Sequence, residues 1–296
     1  MIKDAGKKAK IDTLAEFRLD NLSKNKLLTE FYEEKYSRDV LEEIDLLNGR
    51  IEISFCESQE QKRQWKAYVL MTSSFPWRGA VGRQVKMFVN CNGIPVGMIH
   101  LTSPMAQMRV RDAYVNFTDK WKELQQYYNI EVCIPLPKYA HLLTGKLLVY
   151  SVFSQEVYTY LEGKYATNVM GFETTSLYGR SSMYNRIPFL KYLGLTDGLS
   201  AVYIKDEEWE SILSDYKLKF PKQKGNRLAP VKFQIVDKLN KWYQSRGIEF
   251  PYKYQDVSFR RGVYLGKTKD HDISLSDSVD EWRKRWLKKR MSRYEN

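Results

Sequence analysis

Residues 172–186 read FETTSLYGRSSMYNR, a stretch that holds seven hydroxyl side chains, two arginines, a glutamate and a glycine. Glu173 closes an apolar run, where a carboxylate is costly unless it is paired or opens into a cleft. Ser181 or Ser182 suits the cap of a following helix, which accounts for the serines. Capping does not account for Glu173, Tyr178, Arg180, Tyr184 and Arg186 together. Arginines hold phosphate bidentately, tyrosines stack on bases, and a glutamate accepts from an exocyclic amino group. Glu173 is therefore expected to act as a general base or base reader, with Tyr184 beside it and Tyr178, Arg180 and Arg186 on a phosphate-bearing partner.

The chain has three histidines. His100 ends a strand-like run and His141 opens a helical one, and an imidazole at such an end either carries a proton near neutral pH or is a satisfied, partly buried packing residue. His271 lies in DHDIS, where Asp270, His271 and Asp272 are consecutive and cannot all face one ion, so no metal is expected. Asp112, Asp119 and Glu173 make a poor two-metal set. FPWRGAVGR, residues 75–83, places Trp77, Arg78 and Arg83 among glycines; it reads either as a loop that holds strands apart around an extruded base or as a turn with a docking tryptophan.

Charge narrows the partner. The 296 residues carry a formal net charge of +12, and a basic surface of that kind attracts polyanions. The tail EWRKRWLKKRMSRYEN concentrates it: Trp282 and Trp286, four apart, share one helical face while Arg283, Lys284, Arg285, Lys288 and Lys289 crowd around them. Such a helix is either a solvated terminal helix docked by its tryptophans or one that lies along a phosphate backbone, and both can hold together. Arg109 and Arg111 add to the basic positions, as does the run from Lys217 to Arg227. Nucleic acid is the expected partner, with DNA favoured.

The cysteines, Cys56, Cys91 and Cys133, each sit in an apolar run without zinc-site spacing and read as buried thiols. No segment approaches the roughly 18 apolar residues of a membrane span, and MIKDAGKKAK lacks the apolar stretch of a secretory signal, so a soluble cytoplasmic protein is expected.

The elements that would position these residues follow from periodicity. Apolar residues recur at helical spacing from Asp12 to Leu47, predicting two helices before Asn48-Gly49. IEISFC predicts a strand and Ser58 to Met71 a helix. QVKMFVNC and IPVGMIHL, joined by Asn92-Gly93, predict a β-hairpin, because Asn and Gly tolerate the positive φ of a tight turn. Then come a helix near Asp119 to Tyr128, the strand EVCIPLP, a long helix from His141 to Tyr165, the strand NVMGFETT, a short helix in RSSMYNRIPFLKYLGL and the strand LSAVYI. PKQKGNRL reads as a basic linker, followed by a helix from Pro230, the strand VSFRRGVYLG and the basic helix. The expectation is a mixed α/β (α+β) sheet flanked by helices. It divides into an N-terminal helical arm (1–50), a core (51–220) and a basic helix-strand-helix extension (221–296).

VGMIHL, VCIPLPKYAHLLTGKLL and YNRIPFLKYLGLTDG with LSAVYI resemble the acyltransferase fold of the GNAT superfamily, in which a hairpin precedes a pyrophosphate-binding strand-loop-helix and the sheet continues past it. Within it the likeness, over residues 65–205, is to phage Mom-type DNA modification proteins and the related DruA-like family of phage-defence and phage-encoded proteins. At the pyrophosphate loop the chain offers Thr144, Gly145 and Lys146, one glycine where acetyltransferases have two for close backbone approach. The resemblance thus implies modification of adenine in DNA by a group from an unidentified donor, rather than acetylation from acetyl-CoA. The rival readings are a non-catalytic nucleic-acid-binding or phage-defence interaction protein on the same core and, less favoured, a nuclease or transposase-like enzyme.

Overall fold

A computed structural model describes residues 2–77, 79–177, 179–197, 202–221, 231–257 and 260–293. Its centre is a seven-stranded mixed sheet flanked by helices. The Asn92-Gly93 hairpin forms as expected: both residues have positive φ, 50° and 82°, and they join β2 (Gln84–Cys91) to β3 (Ile94–Thr102). β1 (Ile51–Phe55) pairs antiparallel with β2, and β4 (Tyr127–Pro135) antiparallel with β3. β4 then pairs in parallel with β5 (Gly171–Ser176), over only three positions, Tyr127 to Asn129 against Gly171 to Glu173. Beyond those positions the two strands part.

Two helices, α1 (Ile2–Lys24) and α2 (Lys26–Leu41), form the N-terminal arm, and α3 (Gln59–Thr72) starts at a capping box in which Ser58 and Gln61 satisfy each other's backbone amides. The helix expected near Asp119 to Tyr128 is shorter: α4 (Arg109–Val115) and the single turn α5 (Lys120–Glu123) precede a 3₁₀ turn, and Tyr127 already belongs to β4. After β4 a turn, α6 (Pro137–Ala140), leads to α7 (Thr144–Val152), every residue of which is buried. α7 approaches the sheet over Gly97, where a Cβ would lie 2.7 Å from Leu148.

The long helix expected from His141 to Tyr165 is in fact two. The Ser154 hydroxyl turns back to the Ser151 carbonyl, and α8 (Gln155–Tyr165) restarts with Gln155 N–H bonded to the carbonyl of Ile273. The expected helix in RSSMYNRIPFLKYLGL does not form either. Residues 182–186 are turns, Arg186 takes a left-handed φ of 64°, and Pro188 disfavours helix in the residue before it, so the chain runs on into β6 (Lys191–Leu195).

Of LSAVYI, residues 202–204 are described, and they do not continue the main sheet: β7 (Val202–Tyr203) pairs with β8 (Gln255–Asp256) in a separate two-stranded sheet. These strands pack with α9 (Asp206–Lys219) and α10 (Val231–Gln244) around Ile212, Val236 and Leu239, a second, smaller core. The linker PKQKGNRL falls outside the described residues, apart from Pro221. The strand that does enter the main sheet is β9 (Gly262–Lys267), inserted antiparallel between β5 and β6, which gives the order β1-β2-β3-β4-β5-β9-β6. The chain ends in α11 (Leu275–Trp282), a π-helical turn at Arg283–Leu287, and α12 (Lys288–Met291). The three cysteines are free and buried, and burial pushes the Cys56 and Cys133 thiols up to about 12. No helix among the described residues is long and apolar enough to cross a membrane.

The fit around β9 is tight. A Cβ on Gly266 would lie 2.5 Å from the carbonyl oxygen of Phe189 and 2.5 Å from the Phe153 ring. Gly266→Ala is expected to destabilise the fold by about 1–3 kcal/mol, the usual cost of overpacking, read as a lower urea midpoint at unchanged slope.

Candidate nucleic-acid interface

The C-terminal helix docks by its apolar face. Trp282 is fully buried and its indole N–H donates to the carbonyl of Leu143 at 3.2 Å, Leu287 is fully buried beside it, and Trp286 is nearly so. Arg283 ties the helix to the arm: its guanidinium donates to the carbonyls of Leu46, at 3.1 Å, and Gly49. The π turn, Arg283–Leu287, itself carries three of these anchors, Arg283, Trp286 and Leu287, and such single turns recur at functional sites. With the apolar face docked, Lys284, Arg285, Lys288 and Lys289 remain exposed.

Where this helix meets the entry to α7 and the loop before β6 there is a cavity of about 490 Å³, lined by Leu143, Arg186, Arg285, Trp286, Lys289, Arg290 and Arg293. Five of those residues are cationic and none is a carboxylate. Trp286 is its aromatic wall, with the Arg285 and Arg186 guanidinium groups 5.4 and 5.7 Å from the ring centre. On the protein side of the same ring, 4.2 Å away, lies the Lys146 ammonium, which donates to the carbonyls of Asn185 (2.7 Å) and Met183 (3.1 Å). Burial, with Arg186 and then Arg285 nearby, pulls Lys146 down to about 8. Two further concavities follow: one of about 510 Å³ shares Arg285 and Lys289 with the first, and one of about 520 Å³ shares Lys284 with the second. Both of these include carboxylates, Asp270 and Glu281 in one and Asp280 in the other.

Of the residues expected to meet nucleic acid, Arg186, Lys284, Arg285, Lys288 and Lys289 come together here, and Arg283 is partly spent on the carbonyls of the arm. The other expected positions lie elsewhere. Trp77 is a docking residue, its ring packed between Trp65 at 5.3 Å and His100 at 5.2 Å. Arg83 stacks on Tyr128 at 4.1 Å while donating to the carbonyls of Gln125 and Tyr127. Arg109 is exposed and paired with Asp197 at 2.8 Å, and Arg180 is exposed over Tyr192. Arg111 has no exposed surface at all, so it cannot reach a partner across the protein surface. Arg78 and Tyr178 lie outside the described residues. Leu143, Arg290 and Arg293 were missed; the two arginines stand in the same basic run, whose charge density was the available signal.

The four catalytic candidates do not converge on one cleft. Glu173 is fully buried in an ion pair with Arg111 (2.9 Å) and accepts the Met105 N–H. Burial pushes its carboxyl up while Arg111 opposes the shift. Arg111 in turn bridges to Asp112, which pairs with Lys120 at 2.7 Å, so the chain of charges reaches solvent only at its far end. Tyr184 lies across the sheet, because alternation along β5 turns Thr174, its neighbour, to the face opposite Glu173. Buried beside Cys133 and Tyr264, its hydroxyl is pushed upward, chiefly by desolvation. His100 is fully buried, neither ring nitrogen has a hydrogen-bond partner, and burial with Lys86 nearby drives it down to about 3. His141 is exposed and presents its carbonyl to Arg290.

The expected phosphate loop is also differently employed. The Thr144 hydroxyl donates to the Tyr139 carbonyl, and Gly145 admits Met183, whose side chain would lie 3.1 Å from a Cβ there. None of the three lines the cationic cavity; Lys146, buried, lies behind its Trp286 wall. His271, expected in a polar loop, is buried, stacked 3.9 Å from Phe189 and bonded to the Ser278 hydroxyl at 2.9 Å.

The family profile described as "Druantia protein DruA" matches residues 4–266. The chain belongs to the DruA family. A curated relative, the Druantia protein DruA of Escherichia coli (strain UMEA 4076-1), is 29% identical over 157 residues, which are 46% of this chain and 39% of that relative. The alignment thus spans well under half of the relative's length. No solved structure matches the chain. Leu143, Lys146 and Arg186 fall within the family match, whereas the C-terminal helix from Leu275 onward lies beyond it.

The environment of His100 fixes a pH effect. Its ordinary value of 6.5 falls to about 3 in the folded chain, so between those limits the unfolded chain takes up a proton that the folded chain refuses. Stability contributed by neutral His100 is present above pH 6.5 and is lost as pH falls towards 3. His100→Met, which removes two unpartnered buried nitrogens, is expected to stabilise the protein by about 1 kcal/mol at neutral pH and to flatten the loss below pH 6.5 in urea unfolding.

Proposed function

We propose that the protein binds nucleic acid, DNA in the first instance, through its phosphates at the C-terminal helix, and serves phage defence as a binding component on an acyltransferase-like core. The observation that carries this reading is the cavity at Trp286, whose lining, among the described residues, holds five cationic side chains and no carboxylate. Like charges gathered around one hollow repel each other, and an anion in the hollow relieves that repulsion. Phosphate oxygens suit the guanidinium fork, and a chain of concavities around one helix suits a polymer of phosphates better than a single small anion. The net charge of +12 adds long-range attraction. Membership of the DruA family supports the phage-defence setting that the sequence resemblance implies.

The sheet supports the acyltransferase-like core, since a hairpin precedes the strand β4, a helix follows it, and the sheet continues through the parallel strand β5. A base-modifying role finds no support in this geometry. It would need Glu173, Tyr184 and a histidine around one substrate, and these groups face separate surroundings, Glu173 neutralised by Arg111 and His100 sealed between tryptophans.

The test is duplex binding measured across a salt series. Wild-type protein is expected to lose affinity steeply as salt rises, and the double variant Arg285→Gln/Lys289→Gln to bind about tenfold or more weakly, with the slope of log affinity against log salt reduced by about two. Unchanged affinity and slope in the double variant would remove this helix from the interface.

A further inference from the structure

We infer that the cavity at Trp286 is a seat for a terminal phosphate, so that the protein engages a phosphorylated end of a nucleic-acid strand and not only its internal backbone. This rests on the nucleic-acid reading above and goes beyond it by naming the group recognised.

The first argument is charge. An internal phosphate diester carries one negative charge, whereas a terminal monoester carries about 1.5 to 2 at neutral pH and presents one more free oxygen to donors. Among the described residues, the lining of the concavity at Trp286 holds no carboxylate, whereas both of its neighbours hold at least one. Its lining includes Arg186, Arg285 and Arg293, a side-chain type whose planar fork matches a phosphate bidentately, beside Arg290, whose Nε donates to the His141 carbonyl. The site is matched to the more highly charged group.

Position within the series is the second. The concavity at Trp286 shares Arg285 and Lys289 with its neighbour, the neighbour shares Lys284 with the third, and the first and third share no residue. A strand lying along them would put its internal phosphates in the mixed-charge hollows and its end in the carboxylate-free one.

Backbone conformation is the third, and it is independent of charge. Five non-glycine residues among those described have positive φ: two asparagines, an alanine, Leu143 at 62° and Arg186 at 64°. Asparagine visits this region readily and bulky side chains do not. The two bulky residues both line this one cavity. Strained backbone persists where surrounding structure over-determines it, and it clusters at ligand sites. Here it aims Arg186 over Trp286 from the loop whose carbonyls hold Lys146.

The experiment uses the full chain and one single-stranded oligonucleotide of about ten bases, labelled at one end and carrying at the other a 5′-phosphate, a 3′-phosphate or a hydroxyl, read by fluorescence anisotropy at fixed salt. One phosphorylated form is expected to bind on the order of tenfold more tightly than its hydroxyl counterpart. Arg186→Asn, in which asparagine suits the left-handed backbone, should shrink that preference, and Arg63→Gln, on the exposed face of α3, should leave it intact. Equal binding of all forms would overturn the inference while leaving the nucleic-acid reading in place. Failure to bind any oligonucleotide or duplex would overturn both. Displacement of the phosphorylated strand by equimolar adenosine 5′-monophosphate would also overturn it, reassigning the seat to a free nucleotide.

Discussion

The molecule depends on β9 lying between β5 and β6. A strand offers two rows of backbone donors and acceptors, and β5 satisfies little of its first row on β4, with which it pairs in parallel over only three positions. β9 pairs along the whole of β5 on the other side, Gly171 to Ser176 against Lys267 to Gly262, and its own far edge is used by β6. Because β6 precedes β9 in the chain, the segment between them must leave the sheet and return, and it spends that excursion building the second core around Ile212, Val236 and Leu239. Immediately after β9 the chain passes through His271, packed on Phe189, and enters α11. The insertion of one strand thus delivers the C-terminal helix to α7.

Once delivered, that helix is fixed by backbone carbonyls rather than by opposite charges. Trp282 donates to Leu143 and Arg283 to Leu46 and Gly49, while Lys146 beneath Trp286 donates to Met183 and Asn185. Carbonyl oxygens satisfy the hydrogen-bonding demand of a buried cation without cancelling its charge. Lys146 therefore holds the loop before β6 in place and adds to the positive potential of the cavity above it. The pull on its ammonium down to about 8 is the local cost of that arrangement. An ion pair with a carboxylate would anchor the loop equally well and remove the field.

Much of the framework was legible in the sequence because it rests on local signals. Asn92-Gly93 specifies the hairpin, Ser58 and Gln61 the start of α3, and the apolar runs of β1 and β5 their strands. The errors occur where tertiary partners override local preference. Helical periodicity runs through Phe153 and Ser154, yet the backbone there turns to meet Ile273, more than a hundred residues away. LSAVYI has the composition of a sheet strand, but its β7 pairs with β8, and the edge of β5 away from β4 is taken by β9. At the candidate site, a carboxylate such as Glu173 in an apolar strand is costly unless it is paired or opens into a cleft, and the expectation of a general base or base reader takes the second of these. The alternative on the same principle, pairing, is the one the chain uses, and its partner Arg111 is 62 positions earlier, which no spacing rule connects. The basic helix was legible because charge and tryptophan spacing lie within one turn of each other. The contributions of Leu143 and Arg186 were not, because a left-handed φ in a leucine or an arginine leaves no trace in residue type.

The distribution of carboxylates among the described residues argues for a binding surface over a solvated basic face. Elsewhere the protein pairs its surface cations freely: Arg109 with Asp197, Lys120 with Asp112, Lys24 with Asp20 and Asp206. The same helix that carries the basic cluster also supplies Asp280 beside Arg283 and Glu281 beside the second concavity, so carboxylates are at hand within one or two turns. None of them lines the hollow at Trp286. A solvated face has no use for that separation, since interspersed opposite charges lower mutual repulsion and exposed ion pairs cost the chain almost nothing. Cations gathered in a concave site, with no carboxylate among the described residues of its lining and a buried ammonium behind its aromatic wall, repel one another, and a densely charged anion would relieve that repulsion most completely.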